Sequence, residues 1–248
     1  MDLRLHNKVI VVAGGAQGIG EDIVDHLMGE GALPVVFDRV PGKGFTLKVE
    51  FTDRHSVARA VRIVQEHFGH IDGLINIPGS SDKAGPSVGY TCTRMQSFEE
   101  NVGQYYAVAQ ALLSYLKASQ GSIVNIVSEL WETEQVEVQG YNSFNSALAA
   151  LTEQWAEETR GDGIRVNGVV VSDCQSQQLE APTDLTRLPR SLWARIKRLL
   201  HLGRRLTKVE EIAGTVAFLL SRQSRSINGK LLRIDGGYIH ADSNVGVN

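Results

Sequence analysis

Between residues 9 and 38 the chain reads as an apolar run, a glycine loop, a helical-period segment and a second apolar run, an order that few folds accept. Val9 to Val12 leads into Gly14-Gly-Ala-Gln-Gly18-Ile-Gly20. Ile19, Ile23, Leu27 and Met28 then recur at helical spacing, and Pro34 to Asp38 forms the second run. This is a strand, helix, strand unit with its glycines at the hand-over from strand to helix. Glycines belong there when bare backbone amides must approach a pyrophosphate at the positive end of a helix.

Asp38 closes the second run, where a carboxylate accepts hydrogen bonds from both hydroxyls of a ribose and repels a 2′-phosphate. The expected ligand is therefore a dinucleotide, with NAD(H) favoured over NADP(H). Uncharged Gln17 in the loop leans the same way, whereas Arg39, next to Asp38, is able to pair with a phosphate. The plainer role for Asp38 is to cap a turn.

The alternation continues along the chain. Val57, Val61, Val64 and Phe68 fall on one helical face, a strand follows at 73–77, a helix at 102–116 and a strand at 122–127. Another helix follows Tyr141, then a strand at 164–171. Continuously apolar strands have no side facing water, so they predict a parallel sheet covered by helices on both faces. The fold class is α/β, a single-domain doubly wound parallel sheet over residues 1–248. From 172 to 206 the alternation lapses, and this segment reads as an insertion lying over the site.

Charge and cysteine content narrow the function classes. A formal net charge of −3 with no extended Lys/Arg run argues against nucleic-acid or anionic-membrane partners. The N-terminal apolar stretch is too short for a membrane span and runs into the glycine loop rather than a cleavage site. Cys92 and Cys174 form neither a disulfide framework nor zinc spacing, which makes a reducing cytoplasm the expected location. The seven histidines show no HExxH spacing and no GxSxG occurs, so no metal or hydrolase triad is assigned.

Further motifs carry a resemblance. Asn76-Ile-Pro-Gly79 follows the fourth strand, Asn101 lies in FEENVGQYYA, Ser128 ends IVNIVS, and Tyr141 stands thirteen residues after Ser128. Ile164-Arg-Val-Asn167, LGRRLTKVEEIAGTVAFLLS and IDGGY come later. With GxxxGxG at the loop, the chain resembles the short-chain dehydrogenase/reductase family nearly end to end, with the family's Rossmann-type fold. The resemblance implies cofactor contacts from Gly14, Gln17, Gly18, Ile19, Gly20, Asp38 and Arg39, and adenine-side contacts from Glu50 and Phe51. Asn76 and Gly79 would line the adenosine ribose, with Val171 and Ser176 near the nicotinamide.

In the family's mechanism a tyrosine is the general acid/base, a serine polarises the substrate oxygen and an asparagine holds a relay water. Carried over, these are Tyr141, Ser128 and Asn101. The family's YxxxK reads Tyr141-Asn-Ser-Phe-Asn145 here, so Asn145 stands where a lysine binds the nicotinamide ribose and lowers the tyrosine pKa. An amide can hydrogen-bond a ribose but brings no charge to stabilise a tyrosinate, whose ordinary pKa is about 10. Ile77-Pro78 replaces Asn-Ala, and Val171-Ser172 replaces the family's Pro-Gly. The adenine side keeps the family pattern and the nicotinamide side has drifted.

Other residues have competing roles. Glu129, Glu132, Glu134 and Glu137 approach the site and read chiefly as solvated acids. Arg187, Arg190, Arg195, Lys197, Arg198, Arg204 and Arg205 read as the wet side of a helix with Leu192, Ile196, Leu199 and Leu200 beneath. Trp131, Trp155 and Trp193 are packing residues first, with Trp131 and Trp193 flanking the substrate opening.

Three functions stay open. The first is an NAD(H)-dependent oxidoreductase acting on a secondary alcohol or ketone, with segments similar to sugar and polyol dehydrogenases of the family, L-fucose dehydrogenase types among them. The second is a catalytically inactive dinucleotide-binding protein, and the third a non-redox isomerase or lyase using Tyr141 and Ser128. The resemblance also implies a homotetramer or homodimer and a small-molecule substrate.

Overall fold

Strand β1 (Val9–Ala13) is buried at all five positions, so both faces of the sheet at its centre must be covered. The computed structural model describes residues 2–77, 92–128, 139–171, 174–175 and 207–237, with side chains described for all of these but 92–100, 139–143 and 174–175. In chain order β1 is followed by α1 (Ile19–Gly29), β2 (Leu33–Asp38), β3 (Phe45–Lys48), α2 (Arg54–Phe68) and β4 (Gly73–Asn76). Then come α3 (Cys92–Ser119), β5 (Ser122–Ser128), α4 (Gln139–Thr159), β6 (Arg165–Val171), β7 (Cys174–Gln175), β8 (Thr207–Lys208), α5 (Val209–Leu220) and β9 (Leu231–Ile234).

Seven strands form one sheet in the order β3-β2-β1-β4-β5-β6-β9, and every neighbouring pair is parallel. The expected doubly wound α/β architecture is what the chain adopts. Val9, Val11 and Ala13 of β1 face a core shared with α2, α3 and α4, where Tyr105, Leu112, Phe144 and Leu148 are essentially sealed from water. Ile10 and Val12 face the opposite core, filled by Ile23, Val24 and Leu27 of α1 and by Ile212, Val216 and Leu219 of α5. Alternate β1 side chains thus feed two cores, which is why the strand tolerates no polar position.

Edge strands account for what the sequence pattern left unassigned. β3 and β9 are four residues long and mostly half-buried, too short to show a period. α3 begins ten residues before its apolar periodicity, and β4 and β6 each differ by one residue at a terminus from the apolar runs. β7 pairs with β8 through Cys174↔Thr207 and Gln175↔Lys208, so the chain leaves and re-enters the described structure at adjacent points. Residues 176–206, which hold most of the expected insertion, lie outside the described residues.

The strand order reverses between β1 and β4, because α1 carries the chain from β1 to one side and the later crossovers carry it to the other. The crevice at the carboxyl ends of two such strands is where an open parallel sheet receives ligands.

Candidate active site

The glycine loop occupies that crevice. Gly14 N–H donates to Phe37 C=O of β2 at 2.9 Å, anchoring the loop's first residue. Gly18 has φ +56°, and a Cβ there would meet nothing within 4 Å, so the backbone at the head of α1 faces open space. Gly20 is the opposite case: a Cβ would lie 2.2 Å from Gly14 C=O, so the helix packs against the loop only because no side chain intervenes. α1 starts without a side-chain cap, leaving its first turn to amides and the macrodipole. Gln17 is exposed and its C=O accepts from Gly20 and Glu21 N–H, while Ile19 is half-buried beside the α1 core.

Asp38 is tied to this loop. Its Oδ2 accepts from Ala16 N–H at 3.0 Å, and its Oδ1 accepts from Arg39 N–H at 2.7 Å and Val40 N–H at 3.3 Å. The expected carboxylate at the end of β2 and the expected glycine loop are thus in direct contact, and the carboxylate caps its own turn as well. Beyond it, the Arg39 guanidinium pairs with Glu50 Oε1 at 3.1 Å, and Thr52 Oγ1 donates to the same oxygen at 3.0 Å. Burial acts to raise the Glu50 carboxyl, but the Thr52 hydroxyl and the Arg39 charge outweigh it and hold the group below its ordinary value. Phe51 packs its ring into the core, so its backbone is what it offers a ligand.

Behind the loop, Ile77 is fixed at both ends. Its N–H donates to Ala13 C=O at 3.0 Å, and its C=O accepts from Gln104 Nε2 at 3.3 Å. A Cβ on Gly14 would lie 2.9 Å from that same carbonyl, so Ile77 forms the wall against which the loop turns. Asn76 is fully buried, and its Nδ2 donates to Asn125 Oδ1 at 3.0 Å. Asn125 Nδ2 donates in turn to Thr152 Oγ1 at 2.9 Å. This ladder ties β4 to β5 and α4. Neither Gln104 nor the ladder was indicated by the sequence. The available signal was three amides and a threonine inside otherwise apolar elements, where only a buried partner network explains them.

The residues expected to be catalytic lie on α3, β5 and α4. Ser128 is half-buried as the last residue of β5, in register with Val171 at the end of β6, whose side chain is buried. Ser128 N–H donates to Asn145 Oδ1 at 2.9 Å, and Asn145 is fully buried. Asn145 is therefore joined through its carbonyl oxygen to the strand that carries Ser128. Tyr141 lies on α4 one turn before Asn145, with its side chain outside the described residues. Asn101 is half-buried on α3, three residues before Gln104. Gly79, Ser176, Glu129, Glu132, Glu134, Glu137, Trp131, Trp193 and the basic residues from Arg187 to Arg205 lie outside the described residues. Trp155 is buried, and its ring meets that of Tyr106 at 6.1 Å. Among the described residues no cluster of metal-ligating side chains occurs, and no helix is long and apolar enough to cross a membrane.

Comparison with known proteins places this geometry among relatives. A family model described as enoyl-(acyl carrier protein) reductase matches residues 14–239. The chain is 28% identical to 3-oxoacyl-(acyl-carrier-protein) reductase FabG of Thermotoga maritima, covering 96% of this chain and 100% of the relative. It is 29% identical to sorbitol-6-phosphate 2-dehydrogenase of Klebsiella pneumoniae, covering 95% and 97%. Among solved structures it matches the Cj0485 dehydrogenase with a TM-score of 0.89 and 31% identity over 100% of both chains.

Proposed function

Because the chain belongs to the short-chain dehydrogenase/reductase family, we propose that it is an NAD(H)-dependent oxidoreductase interconverting a secondary alcohol and a ketone, with acid–base catalysis weakened at Asn145. The observation that carries this reading is the Asp38 carboxylate held against Ala16 of the glycine loop at the strand-order reversal. The residues fit a dinucleotide: the backbone at Gly18 faces open space, the α1 terminus is free of side-chain caps, and a carboxylate stands where a ribose arrives. Glycine-loop amides would hold the pyrophosphate, Asp38 the adenosine ribose, and the backbone of Asn76 the pocket floor. When bound, NAD(H) supplies the hydride acceptor or donor.

The chain's own residues do the rest. Ser128 donates its hydroxyl to the substrate oxygen, and Tyr141 gives or takes the proton at its phenolic oxygen. Asn145 has no charge with which to favour tyrosinate, so alcohol oxidation, which needs the deprotonated phenol, suffers more than ketone reduction. Positioned acid–base catalysis contributes about 100- to 10,000-fold, so partial loss leaves a slow enzyme. The name of the Klebsiella relative supports a sugar or polyol as the first substrates to try. We also propose a cytoplasmic protein whose residues 172–206 cover the substrate, assembled as a homodimer or homotetramer. Tyr106 and Leu113, both exposed and two turns apart on α3, support such an assembly.

A second reading is favoured by one contact. Asn145 Oδ1 is committed to Ser128 N–H, which suits a protein that keeps the nucleotide for binding and has left hydride chemistry. Calorimetric titration with NADH together with single-turnover assays on polyols and ketones separates the two. Binding with turnover supports the oxidoreductase, binding without turnover supports the sensor or partner subunit, and no binding of any nicotinamide nucleotide rejects both.

A further inference from the structure

Resting on the nucleotide reading above, we infer that Glu50 is a selectivity residue, which excludes a 2′-phosphate by neutralising the adjacent Arg39. Arg39 follows the ribose carboxylate directly and is the guanidinium that the segment between β2 and β3 offers such a phosphate. It reaches across to β3's far end instead, meeting Glu50 Oε1 at 3.1 Å. That oxygen is held from a second side by Thr52 Oγ1 at 3.0 Å, and Glu50 N–H donates to Ser56 Oγ at 3.0 Å. The acid is therefore placed by its own neighbours as well as by the arginine.

Lys43, the other cation of the segment, is engaged as well. Its Nζ lies 3.1 Å from Glu21 and 2.6 Å from Asp25 on α1. Four carboxylates, Asp38, Glu50, Glu21 and Asp25, thus stand around one short segment against three cations, Arg39, Lys43 and, on β3, Lys48. Gly42 packs this segment onto the glycine loop, since a Cβ there would sit 3.0 Å from Ala16 Cα. A phosphate dianion arriving here would meet the repulsion of Asp38 and an arginine whose charge is already balanced. Lys48, in register with Asp38 on β3, remains in every variant below and does not enter the comparison.

Both members of the pair are 49% exposed, so the contact alone does not prevent Arg39 from turning toward a ligand. The discrimination comes from the pairing of charges: wherever the arginine swings, Glu50 stays close enough to offset the attraction that Arg39 would otherwise exert on a phosphate. Glu50→Gln keeps the shape and the Thr52 hydrogen bond while removing that charge.

Equilibrium binding of NADH and NADPH, followed by intrinsic fluorescence quenching and calorimetry at fixed ionic strength, tests the inference without reference to turnover. Glu50→Gln is expected to lower the ratio of NADPH to NADH dissociation constants roughly three- to tenfold. Arg39→Ala in the wild-type background should change that ratio less than about twofold, whereas in the Glu50→Gln background it should abolish the gain, since only there is the arginine unbalanced. An unchanged ratio in Glu50→Gln, or equal effects of Arg39→Ala in both backgrounds, overturns the inference while leaving the nucleotide reading intact. Wild-type protein that binds neither nucleotide overturns the reading itself and this inference with it.

Discussion

The two ends of the crevice use side-chain hydrogen bonds in opposite ways. At the end beside β2, the proposed adenosine end, Asp38, Arg39 and Glu50 sit half-buried or exposed, with Asp38 against the glycine loop. At the end beside β5 and α4, Asn145 is sealed from water and spends its carbonyl oxygen on the backbone of β5. A half-buried carboxylate remains able to meet a ligand, whereas a buried amide bonded to a strand is part of the scaffold. The difference teaches that position 145 is more than a place without charge, because its side chain has a packing role that a lysine placed there must displace.

Four substitutions and one titration test how far this contrast extends. The largest effect is expected from Tyr141→Phe, which should lower ketone reduction about 100- to 10,000-fold with NADH affinity unchanged. Loss of binding instead would mean that the two ends are not separable. Gly20→Ala places a methyl group on Gly14 C=O; NADH affinity should fall more than about tenfold, and the melting temperature by roughly 2–10 °C for a cost of about 1–3 kcal/mol. Asn145→Lys should raise alcohol oxidation at least about tenfold and move its alkaline pH requirement downward. It should also cost about 1–3 kcal/mol in denaturant titrations, because Ser128 N–H loses its acceptor. A well-folded variant with no gain in rate would show that the catalytic end has left the family chemistry.

Smaller effects lie at the adenosine end. Asp38→Asn keeps the shape while removing charge, and NADH affinity should weaken about five- to tenfold in calorimetry. The Glu50 carboxyl is held below its ordinary value of 4.5 when folded. Its contribution to stability is therefore present above about pH 4.5 and is lost as pH falls through the folded value. Solvent screening limits it to about 0.5 kcal/mol, so the stability gap between wild type and Glu50→Gln should be small at pH 7 and vanish once pH is below the folded value.

Much of the architecture was legible because parallel strands buried on both faces must be written in apolar residues. Val9–Ala13, Leu33–Asp38 and Ser122–Ser128 therefore stood out in the sequence. β3 and β9 did not, since edge strands of four half-buried residues carry no run long enough to read. The glycine loop and Asp38 were legible from local order alone, and the structure joins them. The Ser128–Asn145 and Ile77–Gln104 bonds join residues 17 and 27 positions apart. Each links one side-chain amide to a backbone group on another element, and no sequence period encodes such a link. The sequence marked Asn145 by its departure from a pattern, but not what its amide holds.

The placement of β1 in mid-sheet also bears on how the chain emerges during synthesis. One edge of β1 is covered by β2 once residues 33–37 have appeared, but its other edge pairs with residues 73–76. For some forty residues of elongation the most apolar strand of the molecule has an open hydrogen-bonding edge. α1 is then available to shield one of its faces, and α2, which belongs to the core on the other, is complete only at residue 68. Non-local parallel pairing of this kind is slow and exposed to misassociation. The interval between β2 and β4 is thus the stage at which one edge of β1 stays unpaired in the nascent chain.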